Sequence, residues 1–140
     1  MAVDPEKVPP VQQSLGRCLL NKKPGKDFLD AFYDTFLASD PRIKPLFAKT
    51  DMKKQKDLLR QGLITLIMYA NGSGLAKSSV EQLAVKHDRQ HVNIDPALYP
   101  LWVKSLMDCI KRYNPKYDPE LHKLWTAVLD RGISVMKKAY

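Results

Sequence analysis

The sequence predicts an all-α fold of about six main helices. Apolar residues recur at helical spacing through most of the chain, nothing alternates with a period of two for long enough to make a strand, and proline, glycine and capping residues divide the chain into helix-sized lengths. After Pro9-Pro10, Val11, Leu15, Cys18 and Leu19 form one stripe. A second helix follows Pro24-Gly25 and carries Leu29, Phe32, Tyr33, Phe36 and Leu37 until Asp40-Pro41 stops it, because the residue before proline is pushed out of helical geometry. Pro41 is placed to open a short turn leading to Phe47. From Met52 to Ala70 the stripe Met52, Gln55, Leu59, Leu63, Leu66, Ile67, Ala70 runs unbroken, and Asn71-Gly72-Ser73-Gly74 ends it. Ser78-x-x-Glu81 reads as a capping box opening a short helix with Val80, Leu83, Ala84 and His87 on one face. Asp95-Pro96 and Asp118-Pro119 each read as an N-cap followed by proline at the first helical position. The helices they open carry Leu98, Leu101, Trp102, Leu106 and Cys109, then Leu121, Leu124, Trp125, Val128, Leu129, Ile133 and Met136.

Bulk properties narrow the class of function. A length of 140 residues suits one domain over 1–140, with residues 1–8 expected as a flexible N-terminal extension. The longest apolar run, Leu63 to Met68, is far short of the ~20 residues of a membrane span, and the first residues carry no signal-peptide pattern, so a cytoplasmic protein without a membrane span is expected. The net charge of +8 is scattered in doublets such as Lys53-Lys54 and Lys137-Lys138, not gathered into a stripe with interleaved aromatics. Such charge reads as a solvated surface, and no nucleic-acid partner is expected. Cys18 and Cys109 lie in different helices and in neither CxxC nor CxxCH, so two free thiols acting as small core hydrophobes are expected, with a single disulfide the alternative.

Three inward polar residues mark a pocket. His87 continues an apolar stripe, where a histidine is usually a satisfied core residue but is also a good metal ligand when neutral. His91, four residues on, allows a two-histidine metal site, although HExxH is absent. Tyr33 lies among Leu29, Phe32 and Phe36, either as a core tyrosine or as a hydroxyl aimed at a small ligand. Gln55 is in phase with Leu59 and Leu63 and poses the same choice. Two inward polar groups on different helices, with a histidine on a third, suggest a binding cavity.

These residues carry a family resemblance. Phe32-Tyr33 followed by Asp40-Pro41-x-x-x-x-Leu46-Phe47 resembles the B helix, C helix and CD corner of a bacterial single-domain globin. Leu83-x-x-Lys86-His87-x-x-x-x-Val92, then Tyr99-Pro100, resembles the F helix, FG corner and start of the G helix, and Leu124-Trp125-Thr126 resembles the H helix with its tryptophan. The resemblance, shared with the globin domains of flavohaemoglobins and globin-coupled sensors, covers nearly the whole chain and implies a globin fold around a pocket for haem b (iron protoporphyrin IX).

Residue by residue, the resemblance makes His87 the proximal iron ligand, Phe47 the ring wedged against haem, and Val92 the FG-corner contact. It makes Tyr33, Gln55 and Leu59 the distal residues. Helical phase favours Gln55 and Leu59 over Lys54 and Leu58, the pair one residue earlier. Lys86, Arg89 and His91 flank His87 and are candidates for the haem propionates.

The implied function is reversible binding of O₂, CO and NO. Nitric oxide dioxygenation with an external, acidic reductase is one alternative, and single-domain gas sensing is another. Flavohaemoglobin-like relatives buttress the proximal histidine with a tyrosine early in G and a glutamate late in H. Tyr99 fits the first, but the second falls near Tyr140, which is no carboxylate. The segment from His87 to Tyr99 is also about two residues longer than in those relatives. The resemblance therefore does not extend to the strongly electron-donating proximal side that peroxidase-like chemistry prefers.

Overall fold

The computed structural model describes residues 8–21, 25–88 and 94–140. Among them the chain forms six α-helices: α1 (Val8–Leu20), α2 (Phe28–Ala38), α3 (Met52–Ala70), α4 (Gly74–His87), α5 (Tyr99–Tyr113) and α6 (Pro119–Ala139). Two 3₁₀ turns, Lys44–Phe47 and Pro96–Leu98, lead into α3 and α5. No strand element occurs among the described residues, in line with the all-α expectation. No helix among them is long and apolar enough to cross a membrane.

The caps follow simple chemistry. The first turn of α1 contains Pro9 and Pro10, where a missing N–H leaves nothing unsatisfied. Asp27 caps α2 in a reciprocal box with Asp30. Asp51 accepts the Lys53 and Lys54 N–H groups at the head of α3. Asp95 and Asp118 accept from Ala97 and Leu121, each followed by proline, as the sequence predicts. The start of α4 differs. Its cap is Ser73, which accepts from Ala76 N–H, so the helix begins at Gly74 and Ser78 and Glu81 lie inside it. Gly72, at φ 88°, turns the chain tightly enough for a serine immediately after it to open the next helix.

The helices surround one core. Trp125 and Ser14 are fully enclosed, and Asn114 nearly so. The Ser14 hydroxyl oxygen accepts from Trp125 Nε1 at 2.9 Å and from Asn114 Nδ2 at 2.6 Å, which ties α1, α5 and α6 together with every buried polar atom of the trio occupied. Gly132 allows α6 to approach α3 closely, since a Cβ there would stand 2.0 Å from Leu66 Cδ2. With α6 seated against both α3 and α4, the helices that carry Gln55 and His87 share one support.

Candidate functional site

Tyr33 is held by aromatic packing. Its ring meets Phe32 edge-on at 5.0 Å and Phe47 at 5.8 Å, and Phe47 also packs edge-on against Phe36 at 6.2 Å. The turn Lys44–Phe47 is thus fastened to α2 by one ring. Tyr33 is only 5% exposed. Its hydroxyl oxygen accepts a hydrogen bond from Gln55 Nε2 at 3.1 Å. Among the described residues the phenol proton itself is donated to nothing, so it is available to a ligand. Burial pushes the Tyr33 phenol up to about 12, against the opposing pull of the Gln55 hydrogen bond, so this group is a neutral donor throughout the physiological range.

The reach of Gln55 to Tyr33 depends on α3 phase. Gln55 is half-buried and Leu59, one turn on, is buried. Lys54 is exposed and Leu58 is 58% exposed, so the pair one residue earlier points away from Tyr33. Beside this contact, Lys56 Nζ pairs with Asp30 of α2 at 2.5 Å.

His87 is the last residue of α4 and half-buried. Its Nδ1 lies 2.7 Å from the carbonyl oxygen of Leu83, one turn back. A carbonyl can only accept, so Nδ1 carries the hydrogen and Nε2 presents a lone pair, the form of imidazole that binds a metal. Ile94 N–H donates to the His87 carbonyl at 3.0 Å and fixes the backbone just beyond the helix. Lys86 is exposed beside it. Arg89, His91 and Val92 lie outside the described residues. No hydrogen bond or ring contact among the described residues joins His87 on α4 to Tyr33 on α2 or Gln55 on α3, although α3 and α4 pack against each other. Among the described residues no three His, Cys, Asp or Glu side chains gather as a metal site of their own.

Tyr99 does not reach His87 by a hydrogen bond. The Nδ1 hydrogen is taken by Leu83, and Tyr99 is a buried ring lining a groove of about 430 Å³ between α5 and α6. Burial, with a smaller contribution from Tyr140 nearby, pushes its phenol up to about 12. Two contacts have no counterpart in the sequence pattern. Phe36, already on the stripe with Tyr33, also packs against Phe47 because it stands one turn from Tyr33. The Leu83 carbonyl orients the histidine because it is the i−4 acceptor of a residue at a helix end.

Two comparisons with known proteins give matches to the chain and its fold. The family model described as Globin matches residues 30–136. The structure matches that of a Pseudomonas aeruginosa protein described as structurally highly homologous to a human haemoglobin, with a TM-score of 0.89 and 40% sequence identity, covering 96% of this chain and 98% of that one. No curated protein is matched.

Proposed function

This chain belongs to the globin family, which binds haem, and from that premise we propose that it holds haem b through His87 and binds O₂ and related diatomic ligands reversibly. The observation that carries the proposal is the hydrogen-bond order on the distal wall. The Gln55 amide donates to Tyr33, and the Tyr33 proton is left to donate to a ligand beside the aromatic cluster. The residues present fit the group. Nε2 of His87 is the free nitrogen, Phe47 and Leu59 offer apolar surface, and no CxxCH calls for covalent attachment. Haem, when bound, supplies the reversible bond to the diatomic molecule.

The chain's own residues do the rest. His87 is kept in one tautomer and one orientation by the Leu83 carbonyl. Tyr33 donates to whichever ligand carries negative charge, and Gln55 fixes the direction of that donation, because a hydroxyl oxygen already accepting one hydrogen bond is a better donor of its own proton. The ring cluster of Phe32, Phe36 and Phe47 keeps bulk water from competing for the phenol. Lys86, with Arg89 and His91, is assigned to the propionate edge on the resemblance alone.

Nitric oxide dioxygenation with an external acidic reductase is the competing activity. The neutral carbonyl partner of His87 favours ligand binding over chemistry that needs a strongly donating proximal side. Absorption spectra of the purified protein in ferric, ferrous and ferrous-CO states, followed by O₂ and CO release rates, test the proposal. A protein that takes up no haem would overturn it.

A further inference from the structure

The ring cluster that holds Tyr33 does not end on α2. Phe32 is fully enclosed and meets three rings: Tyr33 edge-on at 5.0 Å, Phe36 stacked at 5.4 Å, and Trp102 of α5 edge-on at 5.9 Å. Tyr33 and Phe36 ride on the same helix as Phe32, and Phe47 sits on the turn fastened to that helix. Trp102 reaches the cluster from a separate helix. It is half-buried, and its indole N–H bonds to no protein atom among the described residues, so α5 applies it to Phe32 as a ring and not as a donor.

α5 is a firm base for that ring. Phe28 meets Tyr113 edge-on at 5.9 Å, and Thr35 Oγ1 accepts from Arg112 Nη2 at 3.0 Å, so α2 is joined to α5 on both sides of Phe32. The plane of the Tyr33 ring, in turn, decides where its proton goes. A phenolic hydrogen lies close to the plane of its ring, because the oxygen conjugates with it. The oxygen itself lies on the axis about which the ring turns. Rotation about that axis therefore leaves the oxygen in place, still accepting from Gln55 Nε2 at 3.1 Å, and swings only the proton. Packing against the ring opposes that rotation, and it comes from Phe32 at an interplanar angle of 79° and Phe47 at 65°.

We propose that Trp102 is a positioning residue for the ligand site: through Phe32 it fixes the plane of the Tyr33 ring, and so the direction in which the phenol proton is donated. The inference rests on the haem and diatomic-ligand reading above. No hydrogen bond or ring contact among the described residues joins Trp102 to Tyr33 directly, so its influence passes through two successive edge-on contacts. Without the indole, Phe32 loses its neighbour from α5 and gains room to turn, and the Tyr33 ring loses the surface that holds its plane. The donor is still present and still accepts from Gln55, but its aim spreads. A ligand that carries negative charge senses that aim, as O₂ does, and CO senses it far less.

The test uses the haem-loaded protein. Trp102→Leu keeps apolar bulk and removes the ring, and Trp102→Phe keeps a ring. Trp102→Leu should accelerate O₂ release roughly 3- to 10-fold, less than the roughly 10- to 150-fold expected when the donor itself is removed, and should change CO release less. Trp102→Phe should return close to wild type. In a Tyr33→Phe background Trp102→Leu should add nothing to O₂ release, since no proton is left to aim. The infrared C–O stretch of the CO complex reads the donor's direction independently of release: one narrow band in wild type, broadened or moved towards the Tyr33→Phe position in Trp102→Leu. Several bands in wild type overturn the proposal, and this arm needs no variant to fold. So does an unchanged rate and band in Trp102→Leu, an equal acceleration of O₂ and CO, or an effect that survives in the Tyr33→Phe background. Protein that takes up no haem overturns the underlying reading and this inference together, whereas a Tyr33→Phe response beside a silent Trp102→Leu overturns this inference alone.

Discussion

Replacing Tyr33 with phenylalanine removes one oxygen and keeps the ring that packs against Phe32 and Phe47, so the ring cluster stays packed while the proposed donor disappears. O₂ held at ferrous haem draws negative charge onto itself, and CO far less. A hydrogen bond to a charged acceptor contributes roughly 1.5–3 kcal/mol. Tyr33 is 5% exposed, so water does not replace the lost donor and the whole of that range applies. At ~1.4 kcal/mol per tenfold, O₂ release should accelerate roughly 10- to 150-fold. Gln55 spends its N–H on the Tyr33 oxygen, so Gln55→Leu should act in the same direction but less, and the double variant should fall short of the sum. Stopped-flow measurement of O₂ and CO dissociation decides the matter. An unchanged O₂ rate would mean the phenol does not face the ligand, and equal acceleration of O₂ and CO would mean the substitution acts through shape instead of through the donor.

His87→Ala should fail to retain haem, as read by gel filtration and the absorption spectrum, whereas His122→Ala, on the outer face of α6, should retain it. Ser14→Ala should cost about 2–6 kcal/mol in urea unfolding, because it orphans two enclosed donors, Trp125 Nε1 and Asn114 Nδ2, at about 1–3 kcal/mol each, while leaving the ligand spectra intact. Alkaline stability has a defined sign. Tyr33 and Tyr99 hold their protons more tightly folded, at about 12, than unfolded, at 10.0, so their contribution is complete below pH 10 and is lost as pH rises towards 12. Urea midpoints measured on either side of pH 10 should show a drop that shrinks in a Tyr33→Phe, Tyr99→Phe double variant.

Helix content was legible because burial at a helix interface leaves a periodic trace. The stripe from Met52 to Ala70 coincides with α3 at both ends. The start of α4 was misplaced because two serines compete for it. Ser78 has an acidic residue three positions on and Ser73 does not, yet the preceding Gly72 at φ 88° makes Ser73 the residue that can cap. That the cap belongs to the serine beside the turn is a property of backbone geometry, and side-chain pattern carries no record of it. Tyr33 and Gln55 were each legible as inward polar residues, but their bond spans 22 positions and links two helices whose register no local pattern encodes. The Leu83 carbonyl is a backbone group and so has no signature at all, although it decides which nitrogen of His87 is free. Arg89, His91 and Val92 lie outside the described residues and stay expectations.

The register between α2 and α3 sets the Tyr33–Gln55 contact on which the proposed distal site rests. Two cross-links fix it at neighbouring positions. Gln55 bonds Tyr33, and Lys56, the next residue, pairs with Asp30, three residues before Tyr33. The ion pair has side chains 28% and 38% exposed, so it contributes at most about 1 kcal/mol to stability. Its geometry matters more than its strength. Asp30 is already held by the capping box of α2, and the Lys56 contact, with that box, keeps its carboxyl below the usual range. An ionised Asp30 anchored to its own helix is a fixed point, and Lys56 ties the first turns of α3 to it. Gln55 therefore meets Tyr33 from one direction only. A one-residue slip of α3 would carry Gln55 away and bring Lys54 or Lys56 towards the phenol, placing a cation where a neutral donor pair now stands. The solvent-side ion pair and the inward hydrogen bond are two readings of one register, and the site's neutrality follows from it.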